Sequence, residues 1–202
     1  MDFLIRTRNL SRYALCVAVM LMVAVNAVAQ LQVNPEVNRN SAIAADFEKR
    51  VGDYMKLRQK AQTGLTAPKN TDSPEKISEY QHEFAEKIRA LRSDAKQGDI
   101  FTPEISGLFR SLVHSALVSS DGEKIRKSYR RAEPLHGFRL NVNQSYPDGV
   151  PLQSMPPSLL LNLPQLPKEL EYRFVGHELI LRDIAPNLIA DVLPNIRRPE
   201  NR

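Results

Sequence analysis

His82-Glu83-Phe84-Ala85-Glu86 opens as a zinc-protease helix does, an imidazole followed by a carboxylate able to act as base. The second imidazole, due one turn later, is replaced by Glu86, so the motif fails. A two-ligand pair of His82 and Glu86 is all that this spacing allows, and a solvated helix face explains both residues. Ser73-Pro74-Glu75-Lys76 and Ser93-Asp94-Ala95-Lys96 both meet the serine–lysine spacing of penicillin-recognising enzymes, yet the Ser-Asp-Asn and Lys-Thr-Gly elements that complete such a site are missing. Ser73 already has a sufficient role as a helix cap. His114, His136 and His177 are scattered, with His177 falling in a turn. Asp183 beside Arg182 could be half of an acid or metal site, although a turn-forming aspartate fits the position better. The densest basic patch is Lys124, Arg126, Lys127, Arg130 and Arg131 with Tyr129. It suits an anionic partner such as an envelope polymer or a phospholipid surface, and it suits a solvated short helix as well. No catalytic residue, cofactor-binding residue or metal ligand is assigned from the sequence.

The elements that must carry these residues change character along the chain. Residues 1–29 divide into a basic stretch with Arg6, Arg8 and Arg12, an apolar run from Ala14 to Val25, and Ala27-Val28-Ala29. That order is a secretory signal peptide, with cleavage expected after Ala29. The rival is a retained anchor, for which the 17 residues Tyr13 to Ala29 are at the short limit of a bilayer span. A lipoprotein signal through Cys16 is poorly served, because Leu15 precedes the cysteine and too little apolar chain separates it from Arg12. Removal of residues 1–29 would take with it the single Cys, leaving no thiol for a disulfide, a thiolate metal site or a nucleophile. The remaining 173 residues would hold 25 basic and 22 acidic side chains, a weak bias that argues against a nucleic-acid partner. Periplasm or medium is the expected destination.

Residues 30–40 have no period and several turn formers, and read as a flexible leader. From 41 to 132 the period is helical. Ala44, Phe47, Val51, Tyr54, Leu57 and Ala61 form one stripe ending near Gly64. Ser73-Pro74-Glu75 starts a second helix with Ile77, Tyr80, Phe84, Ile88, Leu91 and Ala95 on one side, a Glu83–Lys87 pair outside, and Gly98 as its stop. Thr102-Pro103-Glu104 starts a third, carrying Ile105, Leu108, Phe109, Leu112, Val113, Ala116 and Leu117, and Asp121-Gly122-Glu123 starts a short fourth through Arg131. Stripes on one face each predict an antiparallel bundle of three to four helices.

Residues 133–202 read differently. Phe138, Leu140 and Val142 alternate with polar neighbours and predict an accessory strand over 138–142. Six prolines within 147–167 predict a wrap over the surface with one helical turn at most, at Ser158 to Leu161. Leu170, Tyr172 and Phe174, then Leu179 and Leu181, then Leu188, Ala190 and Val192 predict a three-stranded antiparallel meander whose first turn is Gly176-His177. The fold class is therefore α+β.

YPDGVPLQSMPPSLLLNLPQLPKELEYRFVGHELILRDIAPNLIADVLPN at residues 146–195, with GDIFTPEISGLFRSLV at 98–113, resembles a family of exported bacterial proteins of unknown function. Within it, Pro167, Gly176 and Asp183 are similar in spacing to the β module of periplasmic nickel- and cobalt-homeostasis proteins, a resemblance of fold that brings no metal ligands. The expectation is an exported, non-enzymatic protein that binds an unknown protein or cell-envelope component, with membrane contact only during export unless the leader is retained. A periplasmic metal-homeostasis protein and a carboxylate-based hydrolase are the alternatives.

Overall fold

The computed structural model describes residues 35–69, 73–119, 122–130, 140–147 and 155–196. The expected signal peptide, Asp121, Arg131, His136, Phe138 and residues 148–154 of the proline-rich stretch lie outside them. The chain divides into two compact units, residues 1–40 and 41–202. Of the first, only 35–40 are described, as opening turns of helix α1.

Helix α1 spans Pro35–Gln62. It starts inside the stretch expected to be a leader, because Pro35 carries a pre-set φ at the first helical position and Glu36 sits near the positive end of the dipole. Gly64, at φ +82°, turns the chain after it. Helix α2 (Pro74–Leu91) begins at Ser73, whose side chain makes no capping bond to the helix. The Ser73 hydroxyl instead hydrogen-bonds the Glu75 carboxylate and helps hold it below its usual range, behind the contribution of its own backbone amide. The helix ends seven residues before the expected stop. Gly98, at φ +92°, is used in the following turn. Helix α3 (Pro103–Val118) is capped as expected, with Thr102 Oγ1 accepting from the Ile105 N–H at 3.4 Å. Helix α4 (Gly122–Arg130) folds back on α3. Gly122 is required there, since a Cβ would stand 1.9 Å from the Leu117 carbonyl oxygen. A single helical turn, α5 (Pro157–Leu160), is what the prolines leave room for, and it also packs on α3.

The meander is present. Strands β1 (Leu170–Val175), β2 (Glu178–Asp183) and β3 (Leu188–Leu193) form one antiparallel sheet in that order. Gly176, at φ +60°, and His177 close the β1–β2 hairpin. Of the accessory strand expected over 138–142, residues 138 and 139 lie outside the described residues. Leu140 to Val142 belong to no strand, Asn143 turns the chain at φ +65°, and the backbone of Asn143, Gln144 and Tyr146 bonds the start of β3, with Ser145 bridged to Leu188.

Within residues 41–202 the helices and the sheet bury into one core. Phe47, Phe84, Phe109, Leu159, Leu179 and Leu181 are all fully buried. Phe47 lies 5.0 Å from Phe109 and 5.9 Å from Phe101, and Phe109 lies 5.7 Å from Tyr172 on β1. Each such ring pair adds about 0.5–1.5 kcal/mol to the area it buries. The helical stripes thus close on the sheet. A second apolar cluster, Leu140, Tyr146, Val175, Ile180, Ile189 and Val192, covers the opposite face.

Strict alternation along β3 would turn Leu188, Ala190 and Val192 to one side. Between the pairs Leu181↔Asp191 and Arg182↔Ile189, however, Ala190 is an extra residue. This bulge sends Val192 to the outer cluster, brings Leu193 into the main core, and aims Asp191 at the helices.

Candidate functional site

Most polar residues singled out in the sequence are dispersed. His82 is exposed on α2, and Glu86 bonds Arg89 at 2.7 Å instead of sharing a ligand with it. Glu83 and Lys87 pair along the helix at 3.6 Å. Ser93 and Lys96 sit in the turn after α2, and His114 and His177 are exposed. Among the described residues no group of three or more His, Cys, Asp or Glu is placed to hold a metal ion. No helix among them is long and apolar enough to cross a membrane.

Asp183 is neither an exposed turn residue nor part of an open site. It is fully buried, and its Oδ2 accepts from Arg58 Nε at 2.8 Å and from the Tyr54 hydroxyl at 3.0 Å. Burial pushes its carboxyl up, against the pull of Arg58 and Tyr54, and burial with the adjacent carboxylate lifts the Tyr54 phenol well above its ordinary range. Arg58 lies over the Phe84 ring at 4.9 Å. Arg92 lies over Tyr54 at 5.2 Å and donates to the Ala190 carbonyl at 3.0 Å. These contacts lock α1 and α2 onto the sheet.

Asp191 is the second buried carboxylate, and the sequence reading passed over it. Its Oδ2 accepts the Ile100 and Phe101 amides, both at 2.7 Å, and its Oδ1 accepts the Gly98 amide at 3.0 Å. Burial raises its carboxyl and the amides work against the rise. The positive φ of Gly98 shapes this cradle. A lone acid in the apolar run Leu188–Leu193 was the signal that would have found it.

A groove of about 470 Å³ runs between the proline-rich segment and β1, with Leu160, Pro164 and Leu166 on one side and Tyr172, Glu171 and Arg173 on the other. The Tyr172 hydroxyl donates to the Pro164 carbonyl at 2.9 Å and fixes the segment beside the strand. Burial would raise the Glu171 carboxyl, but the guanidiniums of Arg173 and Arg182 overrule it and hold the group below the usual range. Arg182 donates to Glu171 at 2.6 Å and to Asn187 Oδ1, and lies 5.6 Å from the Tyr146 ring. Of the three leucines in the turn, Leu159 is core, Leu160 is 41% exposed and Leu161 is 88% exposed.

Of the basic patch, the described part is α4. Ile125 roots that helix in the core at 1% exposure, while Lys124 and Lys127 are exposed, Lys127 beside Glu123 at 3.2 Å. Arg126, Tyr129 and Arg130 occupy the same helix, and Arg131 lies beyond the described residues. A polar hollow of about 430 Å³ also lies between the Gly64–Pro68 loop and the Lys76, Glu79 and Glu83 side of α2. No protein-family model, curated protein or solved structure matches the chain.

Proposed function

We propose that the protein is exported and non-enzymatic, and acts by binding a protein partner of the cell envelope through the groove beside β1. The observation that carries this reading is the groove: the apolar side chains of Met155, Leu166 and Leu170 in its lining, a rim of ion-paired Glu171 and Arg173, and Leu160 half exposed at its edge. An apolar floor edged by a few placed polar groups is the ordinary make-up of a docking cleft, and a proline-rich wall holds its shape at little entropic cost. The leader supports export from the sequence side. The test is a photo-crosslinking residue placed at Gln165 in living cells, with a control at Glu79 in the polar hollow. The expected result is a discrete adduct from Gln165 that disappears with Leu160→Asp. Equal yields from both positions, or an adduct indifferent to Leu160→Asp, would overturn the groove as the contact surface.

A further inference from the structure

Strand β1 lies at an edge of the sheet: it pairs with β2 on one side and, among the described residues, with no strand on the other. Two bonds fix which of its backbone groups point to that other side. The Ile184 N–H donates to the Glu169 carbonyl at 3.0 Å, and the Leu170 N–H turns the opposite way, to the Pro167 carbonyl at 3.0 Å. Backbone groups alternate in direction along an antiparallel strand, so Glu171 and Arg173 bond β2. Tyr172 then aims its N–H and C=O, and Leu170 its C=O, away from β2. The groove lies along this edge. Leu170, Glu171, Tyr172 and Arg173 all line it, and successive side chains of a strand point to opposite faces. A cleft lined by four in a row therefore follows the strand's backbone and not one face of the sheet.

From this we infer that the groove takes an extended peptide of alternating apolar and acidic residues as a strand added to β1, an inference that rests on the groove being the docking surface. An edge strand offers main-chain hydrogen bonds to an extended chain, and the surroundings of alternate side chains select among such chains. On the face of Leu170 and Tyr172 an incoming side chain meets the proline-rich wall, because the Tyr172 hydroxyl bonds the Pro164 carbonyl there. That wall is apolar at Pro164 and Leu166. On the face of Glu171 the next side chain meets two guanidiniums, Arg173 and Arg182, around one carboxylate. The positive excess favours an acidic residue, so charge complementarity sets the alternation.

A displayed library of random short peptides, panned on the folded protein, supplies the probe, and hydrogen exchange of single backbone amides reads the binding mode. Selected peptides are expected to alternate apolar with acidic residues. They should slow exchange of the Tyr172 amide about tenfold or more, while the Glu171 and Arg173 amides, already bonded to β2, change little. Arg173→Glu should reverse the acidic preference and Arg173→Gln should weaken it, with circular dichroism confirming the fold; Arg173→Gln alone carries this arm if the charge reversal does not fold. No enriched peptide, enrichment without alternation, an acidic preference indifferent to Arg173, or an unchanged Tyr172 amide under saturating peptide overturns the inference. If the Gln165 adduct in cells still forms and still depends on Leu160, the groove stands as the docking surface and the added strand alone falls. Protection of Tyr172 that rises with protein concentration in the absence of peptide gives the edge to a second copy and equally overturns the inference.

Discussion

Arg58 and Asp183 show how much of the fold hangs on single side chains. The pair is 8% and 0% exposed at 2.8 Å, so neither charge has water to fall back on. Removing one partner leaves the other buried and uncompensated, which costs about 3–5 kcal/mol, whereas replacing both with apolar groups of similar volume is close to neutral. Arg58→Met and Asp183→Leu are therefore each expected to lower the urea midpoint strongly, and the double variant to recover most of the loss. Additive single effects in this double-mutant cycle would remove the pair from any role in holding α1 to the sheet. Arg58 was legible in hindsight: Val51, Tyr54, Arg58 and Ala61 recur at three and four, so the arginine stands on the buried stripe. Arg92 continues Phe84 and Ile88 in the same way. Asp183 was not legible as a core residue, because its partners are 125 and 129 positions away in sequence.

At the level of elements, helix and strand periods located α1 to α4, the single turn in the proline-rich segment and the three strands, since each buries one face and the pattern of burial is written locally. What local pattern could not supply was the bulge at Ala190, which goes with the bonds that Asp191 accepts from the distant Gly98–Phe101 turn. The groove was half legible: proline density predicted a surface wrap, but its docking beside β1 depends on the Tyr172–Pro164 bond. Arginines make several of the joints between elements among the described residues. Arg50 reaches the Asp99 carbonyl at 2.7 Å, Arg89 reaches Asn143 and Ser145, and Arg110 reaches the Pro194 carbonyl. At the α3–α4 joint the Gly122 N–H donates to the Ser119 carbonyl at 2.9 Å and the two helices approach closely. Gly122→Ala would press a methyl into the Leu117 carbonyl, so α4 must shift or detach. Hydrogen exchange should show faster exchange through α4 with α1 unchanged, and a loss of about 1–3 kcal/mol in global stability. Parent-like exchange in α4 would mean that the joint is looser than this packing requires.

Across the whole molecule, buried carboxylates pull stability in opposite directions as pH changes. Asp183 and Asp191 are raised above 3.8, and Glu178 above 4.5, each by burial. The folded state holds these protons more tightly than the unfolded chain does, so the stability they contribute is present in full below the unfolded values and is lost as pH rises through the folded ones. Glu171 has the opposite sign. Its folded value lies below 4.5, so its contribution is complete above that value and is lost as pH falls through the folded one. The two trends offset each other in acid, and the parent should show a shallow dependence of urea midpoint on pH between about 3 and about 7. Glu171→Gln removes only the acid-side loss. That variant should be less stable than the parent near neutrality, where the Arg173 and Arg182 guanidiniums lose their carboxylate, and should converge on the parent as the pH falls. A constant gap between the two curves at every pH would show that the ion pairs of Glu171 with Arg173 and Arg182 add nothing to the stability of the sheet edge that walls the groove.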